Sequence, residues 1–328
     1  MRRREVIALI IGGAALVRPA TGFTQAATER PIVAILASRP AEAMRRYMDA
    51  FALGMQPFGL VAGRDYEIVL RSTDGDSTRG PELLTELLAL NPKVIMTADT
   101  TQTLAAKRAT KETPIVGVLI SDPVGFGLVA SVARPGGNVT GLLSSIDRLV
   151  PKQLDLLLQV VPAAKRVGVL FNANNPANVG GVHLLRTDSA ARSLTLVPAG
   201  LRQSGDIDAA FQALGHEHLD AVFVFQDGLF SQNAARIAAL ALAARLPSVF
   251  GFREFVEVGG LMSYGLNLVS QWQRAAAYVA KILQGAKPGD LPVEMQPRLE
   301  LVINLNTARA LGITVPASVL AFADSLIE

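Results

Sequence analysis

The sequence contains no cysteine, and this absence removes two classes of site at once. Without thiols the chain forms neither a disulfide framework nor a thiolate metal centre. Histidine is nearly as scarce, with three residues in 328. His216 and His218 stand two apart, a spacing that does not put both on one helical face. We therefore expect these two and His183 to lie on the surface, and we expect no metal site.

An excess of charge of one sign is also missing from most of the chain. The formal net charge is +3, and residues 1–26 alone carry four arginines against one glutamate, so the remaining residues are formally neutral. Binding to nucleic acid depends on neutralising phosphates with a basic face. The neutral body therefore argues against a nucleic-acid partner, and the positive charge belongs to the N-terminal segment.

That N-terminal segment has the three parts of an export signal. Met1–Glu5 is positively charged, Val6–Val17 is an apolar run of 12 residues that is too short to span a bilayer, and Thr24–Ala26 offers a cleavage site before Ala27. The alternative is a buried first strand or helix. The paired arginines within Met1–Glu5 also suit twin-arginine export, so this route and the Sec route both stay open. No later run is long enough to span a membrane, and we expect a soluble mature protein in the periplasm.

Motifs for catalysis and nucleotide binding are absent as well. The sequence has no Gly-x-Ser-x-Gly elbow and no phosphate loop. Residues 125–130 fit G-x-G-x-x-A, with Asp147 about 20 residues further on, but the breaker cluster at 134–137 interrupts the helix that a dinucleotide site needs. We therefore expect no catalytic residue and no cofactor. An enzyme or a ligand sensor on the same fold is the alternative, because fold alone does not decide function.

What is present is a regular alternation of short apolar runs with helix-period segments. Half of the residues are hydrophobic and 18% are charged, which excludes wholesale disorder, and 328 residues make two domains the default. In the first half the predicted strands are 31–37, 66–71, 93–97 and 115–120, and the predicted helices between them are 41–56, 81–90 and 100–111. This alternation is typical of a parallel sheet covered by helices on both faces.

The same alternation restarts at 166–171. Further predicted strands are 194–197, 221–225 and 248–250, with helices at 178–191, 206–214 and 231–245. The strand that ends at Asp99 matches the strand that ends at Asp227, and a proline opens the next strand in each case, at Pro114 and Pro247. The sequence therefore predicts an α/β fold of two similar doubly wound parallel-sheet lobes.

Three breaker-rich segments fall where the chain can cross between these lobes. They are 133–140, 259–260 and 291–300, and three crossings make a hinge in which few residues rotate. The predicted boundaries are a signal peptide over 1–26, an N-terminal lobe over 27–143 and 260–290, and a C-terminal lobe over 144–259 and 291–328.

Ligands of open parallel sheets bind at the carboxyl ends of the strands, and this rule selects candidate residues without any motif. The selected positions are rich in carboxylates and short polar side chains, which suit a small polar ligand that carries an ammonium. They are Ser38, Arg39, Asp99, Thr100, Ser121, Asp122, Asn172, Asp227, Phe252, Arg253 and Glu254. The alternative for the three aspartates is that they cap the following helix or turn. Asn172 also suits a simple turn, and Arg253 and Glu254 suit a surface pair.

Four long blocks resemble a known family, the ABC-transporter substrate-binding proteins that include tryptophan- and tyrosine-binding lipoproteins. The blocks are 122–141, 252–265, 282–294 and 301–312. The resemblance implies a type I periplasmic-binding-protein fold that clamps a small molecule, an amino acid or a related compound, and delivers it to a membrane permease and its ATPase. It also implies a monomer. The lipidated cysteine of the aromatic-amino-acid binders is absent, which favours a protein free in the periplasm.

Overall fold

The computed structural model describes residues 30–144, 146–295 and 299–328, without the side chains of residues 146 and 147. The predicted signal peptide at 1–26 lies outside the described residues. Within these ranges, none of the helices combines the length and the apolarity that a membrane span requires. His183, His216 and His218 are exposed, as predicted.

In chain order the strands are β1 (Ile32–Ala37), β2 (Glu67–Ser72), β3 (Val94–Thr97), β4 (Ile115–Ile120), β5 (Val139–Leu143), β6 (Arg166–Asn172), β7 (Thr195–Leu201), β8 (Ala221–Val224), β9 (Ser248–Phe250), β10 (Met262–Leu266), β11 (Glu294–Met295), β12 (Leu299–Asn304) and β13 (Ser325–Ile327). The helices are α1 (Arg45–Met55), α2 (Gly80–Ala89), α3 (Thr100–Ala109), α4 (Ile146–Val160), α5 (Pro176–Ala191), α6 (Ile207–Gly215), α7 (Gly228–Ser231), α8 (Ala234–Ala243), α9 (Arg253–Glu257), α10 (Leu268–Leu283), α11 (Leu305–Leu311) and α12 (Ala317–Leu320).

The strands form two sheets, one in each lobe. The N-terminal sheet has the order β11-β5-β4-β3-β1-β2, and its neighbours are all parallel. The C-terminal sheet has the order β13-β12-β10-β9-β8-β6-β7, and only its β10–β12 pair is antiparallel. The central strands are continuous apolar runs buried on both faces, as parallel sheets require. The predicted two-lobed α/β fold is confirmed.

The chain crosses between the lobes three times: between β5 and α4, at Asn267 between β10 and α10, and between β11 and β12. The sequence predicts that the chain returns to the N-terminal lobe at residue 260. This boundary is wrong, because β10 lies between β9 and β12 of the C-terminal sheet. The boundary at 291 is also wrong, because β11 pairs with β5 of the N-terminal sheet. The other predicted boundaries stay proposals.

Two of the three breaker clusters have local roles within a lobe. Gly259 and Gly260 end α9: Gly259 has a φ of 107°, and the Gly260 N–H donates to the Phe255 carbonyl at 2.8 Å. Residues 133–140 connect β4 to β5, and the Gly136 N–H donates to the Gly289 carbonyl at 3.1 Å. Breaker residues thus mark helix ends and turns as readily as crossings.

Close backbone contact between β10 and the end of β9 generates a stability prediction. A Cβ at Gly265 would lie 1.9 Å from the Gly251 carbonyl oxygen, which cannot move without distorting the backbone. Gly265→Ala should lower the free energy of unfolding by about 1–3 kcal/mol because of this overpacking. Gly215→Ala is the control, since a Cβ there meets nothing within 4 Å. Urea melts of both variants make the comparison, and equal stability would contradict the close contact.

Candidate ligand-binding cleft between the lobes

A cavity of about 600 Å³, open space at its mouth included, lies between the two lobes. We call it the ligand cavity. Its wall consists of residues that follow the carboxyl ends of β1, β3, β4, β5, β6, β8 and β9, together with side chains of α1 and α10. The ligand cavity therefore lies at the ends of both sheets that the parallel-sheet rule selects.

Seven of the predicted site residues line the ligand cavity together. They are Ser38, Arg39, Asp99, Thr100, Ser121, Asp227 and Phe252. The first five come from the N-terminal lobe and the last two from the C-terminal lobe. Their juxtaposition is a fact of the fold, and their contact with a ligand stays a prediction.

Asp99 occupies the N-cap of α3, directly beyond β3. Its side chain accepts a hydrogen bond from the Gln102 N–H at 2.9 Å, as a capping aspartate does. Burial, with the nearby charge of Asp227 as a smaller contribution, raises the pKa of Asp99 to about 7 against the lowering effect of the cap. The carboxylate is thus held in place by the helix while its charge is poorly solvated.

Asp227 lies opposite, at the N-cap of α7 in the C-terminal lobe. Its carboxylate accepts hydrogen bonds from the side-chain amides of Asn172, at 2.9 Å, and Asn175, at 2.7 Å, and from the Leu229 N–H at 2.9 Å. Burial raises the pKa of Asp227, and these three donors oppose the rise. Asn172 therefore holds the Asp227 carboxylate and is not among the residues that line the ligand cavity, and its contact with a ligand stays a prediction.

The two carboxylates face the cavity without a cation. Within the described ranges neither Asp99 nor Asp227 has an ion-pair partner, and no group of three or more His, Cys, Asp or Glu side chains is placed to hold a metal ion. The one cation on the cavity wall is Arg39, whose guanidinium donates to the Tyr47 hydroxyl at 2.6 Å and to the Ser231 hydroxyl at 3.0 Å. Two desolvated carboxylates that face each other favour a bound cation with several N–H donors, such as an ammonium.

Aromatic side chains cover the other side of the cavity. The rings of Tyr47 and Trp272 lie with centroids 6.1 Å apart. The Arg39 guanidinium lies over both Tyr47, at 5.3 Å, and Phe252, at 5.4 Å. Neither Tyr47 nor Trp272 is among the site residues that the sequence predicts. The available signal was scarcity: this is the chain's single tryptophan, and only 5% of its residues are aromatic.

Three further predicted site residues lie outside the ligand cavity. Asp122 adopts a left-handed backbone, with a φ of 36°, and accepts from the Gly125 N–H at 2.9 Å, so it closes a turn. Arg253 pairs with Glu257 at 2.9 Å and Glu300 at 3.1 Å. Glu254 is directed to the opposite lobe. These positions follow strand ends in the sequence, but their side chains are already engaged elsewhere.

Glu254 takes part in a set of contacts that join the two lobes at the outer edge of the cleft. Its carboxylate lies 2.6 Å from the Arg46 guanidinium and accepts from the Tyr47 hydroxyl at 2.5 Å. Arg46 also lies 3.3 Å from Glu257. Deeper in the cleft, a Cβ at Gly228 would lie 2.4 Å from the Cβ of Ser38. The lobes are therefore in contact across the cleft, and the structure represents a closed form.

The fold defines a class: the chain has the type I periplasmic-binding-protein fold, with two parallel-sheet lobes and a cleft between them. The chain belongs to the ABC transporter substrate-binding protein family, whose model matches residues 7–327. Members of this family are substrate-binding proteins, not enzymes, and they typically work outside the cytoplasm.

Individual relatives agree with this assignment. A tyrosine-binding protein of Clostridioides difficile (strain R20291) is 25% identical over 80% of this chain and 75% of its own length. A conserved domain protein from Vibrio cholerae superposes with a TM-score of 0.84 at 30% identity, covering 91% of this chain and 100% of that one. An ABC domain from Streptococcus pneumonia, solved in complex with L-Trp, gives 0.82 at 23% identity with the same coverage.

The raised pKa of Asp99 predicts an unusual pH dependence of stability. A carboxyl whose pKa is higher in the folded than in the unfolded protein destabilises the fold above that pKa, and the penalty disappears as the pH falls towards the unfolded value. Asp99→Asn keeps a good helix cap and removes the charge. The variant should be more stable than the wild type at pH 8, by about 1–3 kcal/mol. At pH 5 this difference should shrink by more than half, and part of it should remain because pH 5 is still above the unfolded pKa.

Thermal melts of ligand-free protein at the two pH values test this. Asp206→Asn is the matched control, because the Arg202 N–H donates to this exposed cap at 3.0 Å and holds its pKa below the ordinary value. The Asp206→Asn variant should be less stable than the wild type at pH 8, so its change in stability should have the opposite sign to that of Asp99→Asn. A less stable Asp99→Asn variant at pH 8 would show that the charged form of Asp99 stabilises the empty fold, contrary to the account given above.

Proposed function

We propose that this protein is the periplasmic substrate-binding component of an ABC importer, and that its ligand is a small molecule with an ammonium and an aromatic or apolar group. An aromatic amino acid is the best candidate. The observation that carries the proposal is the pair of cation-free carboxylates, Asp99 and Asp227, facing a cavity with an aromatic wall. The ammonium would lie between the carboxylates, and the side chain against Tyr47 and Trp272.

The named ligands of the relatives support this choice. One relative is called a tyrosine-binding protein, and another was solved with L-Trp bound. Both ligands combine an ammonium with an aromatic ring, and the wall of the ligand cavity has carboxylates and aromatic side chains that would complement these two features. The cavity wall also offers hydroxyls and amides to the rest of the ligand, among them Ser121, Ser144 and Asn178.

Capture would work by hinge closure. The site is divided between the lobes, with Asp99 on one and Asp227 on the other, so a ligand cation would hold the two lobes together. The Arg46–Glu254 pair would close at the same time and break on opening. A ligand that binds the closed form better than the open form shifts the population towards closure.

Delivery of the ligand requires partners. The protein would be exported through its N-terminal segment, act as a monomer in the periplasm, and present the closed form to an inner-membrane permease driven by an ATPase. The alternative of an enzyme or a sensor is favoured by no feature of the described residues. Family membership supports a binding role. So does the fact that Asp99 and Asp227 are both held in place as helix N-caps.

Calorimetric titration tests the ligand class. L-Phenylalanine, L-tyrosine and L-tryptophan are titrated into the protein at pH 8, alongside 3-phenylpropionate, which lacks the amine. At least one amino acid should bind and 3-phenylpropionate should not. Asp99→Asn should weaken binding roughly tenfold to a hundredfold, the value of a charge-assisted hydrogen bond, while Asp206→Asn should leave affinity unchanged. Equal binding of the deaminated analogue would contradict the carboxylate pair as the ammonium site.

Small-angle scattering tests the closure. The ligand that binds should decrease the radius of gyration of the wild-type protein. Glu254→Gln should give a smaller decrease, because the Arg46 contact loses its charge partner. A scattering profile that does not change at saturating ligand would contradict hinge closure.

A further inference from the structure

A second cavity adjoins the ligand cavity on the side of the first and third crossings. We call it the side cavity; its volume is about 1060 Å³, open space included. Phe126, Leu143 and Met295 of the N-terminal lobe and Leu184 of the C-terminal lobe contribute apolar walls, and Arg148 of α4 contributes a guanidinium. Because both lobes line it, the side cavity changes shape with the same hinge motion that closes the ligand cavity.

The two cavities share part of their walls. Ser121 and Ala177 line both of them. The Ser121 hydroxyl is hydrogen-bonded to the Ser144 hydroxyl at 2.5 Å, which turns it along the wall. Ala177 lies in the first turn of α5, and its side chain is a single methyl group. Both shared side chains are small, and a ligand that occupies both cavities would pass them.

Gly180 keeps space open in the side cavity. A Cβ at Gly180 would meet nothing within 4 Å, whereas a Cβ at the next residue, Gly181, would lie 2.4 Å from the Phe225 ring. Gly181 is thus required by packing and Gly180 is not. A glycine inside a helix lowers its stability relative to alanine. Its presence at 180, on the wall of the side cavity, favours an occupant that needs this space.

The distribution of charged side chains over the two cavities also favours a ligand that occupies the side cavity. In the ligand cavity the wall carries two carboxylates and one guanidinium, that of Arg39, which is engaged by Tyr47 and Ser231. In the side cavity, Arg148 has no ion-pair partner among the described side chains, and the carboxylate of Asp122 accepts from the Gly125 N–H. A ligand anion therefore finds an unengaged guanidinium only in the side cavity.

We propose that the two cavities form one extended site for a zwitterion longer than a free amino acid: an ammonium at Asp99 and Asp227, an apolar body past Ser121 and Ala177, and a carboxylate at Arg148. A dipeptide with an apolar second residue has this chemistry. The ammonium end rests on the proposed function, and the side cavity is the new element.

Calorimetry with L-phenylalanine and L-phenylalanyl-L-leucine tests the proposal on three proteins: the wild type, Gly180→Leu and His183→Leu. The last variant is the control, because it adds a leucine to an exposed position of the same helix outside the side cavity. The wild type should bind the dipeptide. Gly180→Leu should weaken dipeptide binding roughly tenfold to a hundredfold by overpacking and leave L-phenylalanine unchanged. His183→Leu should change neither.

The outcomes separate the two proposals. If L-phenylalanine binds and the dipeptide does not, the extended site is overturned and the proposed function stands. Dipeptide affinity that Gly180→Leu leaves unchanged also overturns it. If neither compound binds, the aromatic ligand class fails and the extended site fails with it. A melting temperature for Gly180→Leu at or above that of the wild type shows that the variant folds, as its open Cβ position leads us to expect.

Discussion

Two carboxylates that approach each other in a poorly solvated cleft, without a cation, are the constraint on which the rest of the site depends. Burial disfavours the ionised form of each carboxyl group, and for Asp99 the like charge of Asp227 adds to the effect. In this protein both groups are raised in pKa, and that of Asp99 is raised to about 7. The empty site is therefore electrostatically unfavourable at neutral pH, and a ligand cation relieves the repulsion. The affinity for a cationic ligand would then come from relief of this electrostatic penalty as well as from the new contacts between ligand and protein.

The fold holds these carboxylates in place by giving each a structural task. Asp99 caps α3 and Asp227 caps α7, so each side chain is positioned by backbone N–H groups that belong to its own lobe. Asn172 and Asn175 hold Asp227 from the β6 side. Capping and ligand binding, the two alternatives that sequence reasoning left open, are compatible here, because a carboxylate has enough acceptor positions for both.

The sequence was sufficient to predict what depends on local pattern. Continuous apolar runs identified the central strands, and the strand-end rule located Asp99 and Asp227 before any side-chain geometry was known. Sequence reasoning failed where the direction of a side chain determines whether it lines the cavity. Arg253 and Glu254 follow β9 as Phe252 does, but they lie in the first turn of α9 and are directed to Glu300 and Arg46. Trp272 reaches the cavity from α10, a helix that returns to the N-terminal lobe after the second crossing, and no local pattern indicates that contact.

Proton release on ligand binding is the most direct measurement of the central claim. An ammonium that binds the ionised form of Asp99 must expel the proton that a group with a pKa of about 7 holds at lower pH. Titration of L-phenylalanine in buffers of different ionisation enthalpy should give release of about 0.9 proton per ligand at pH 6 and about 0.1 at pH 8. The Asp99→Asn variant should release close to none at either pH. Binding by the wild type with no proton release at pH 6, or with proton uptake, would contradict the assignment of the paired carboxylates as the cation site.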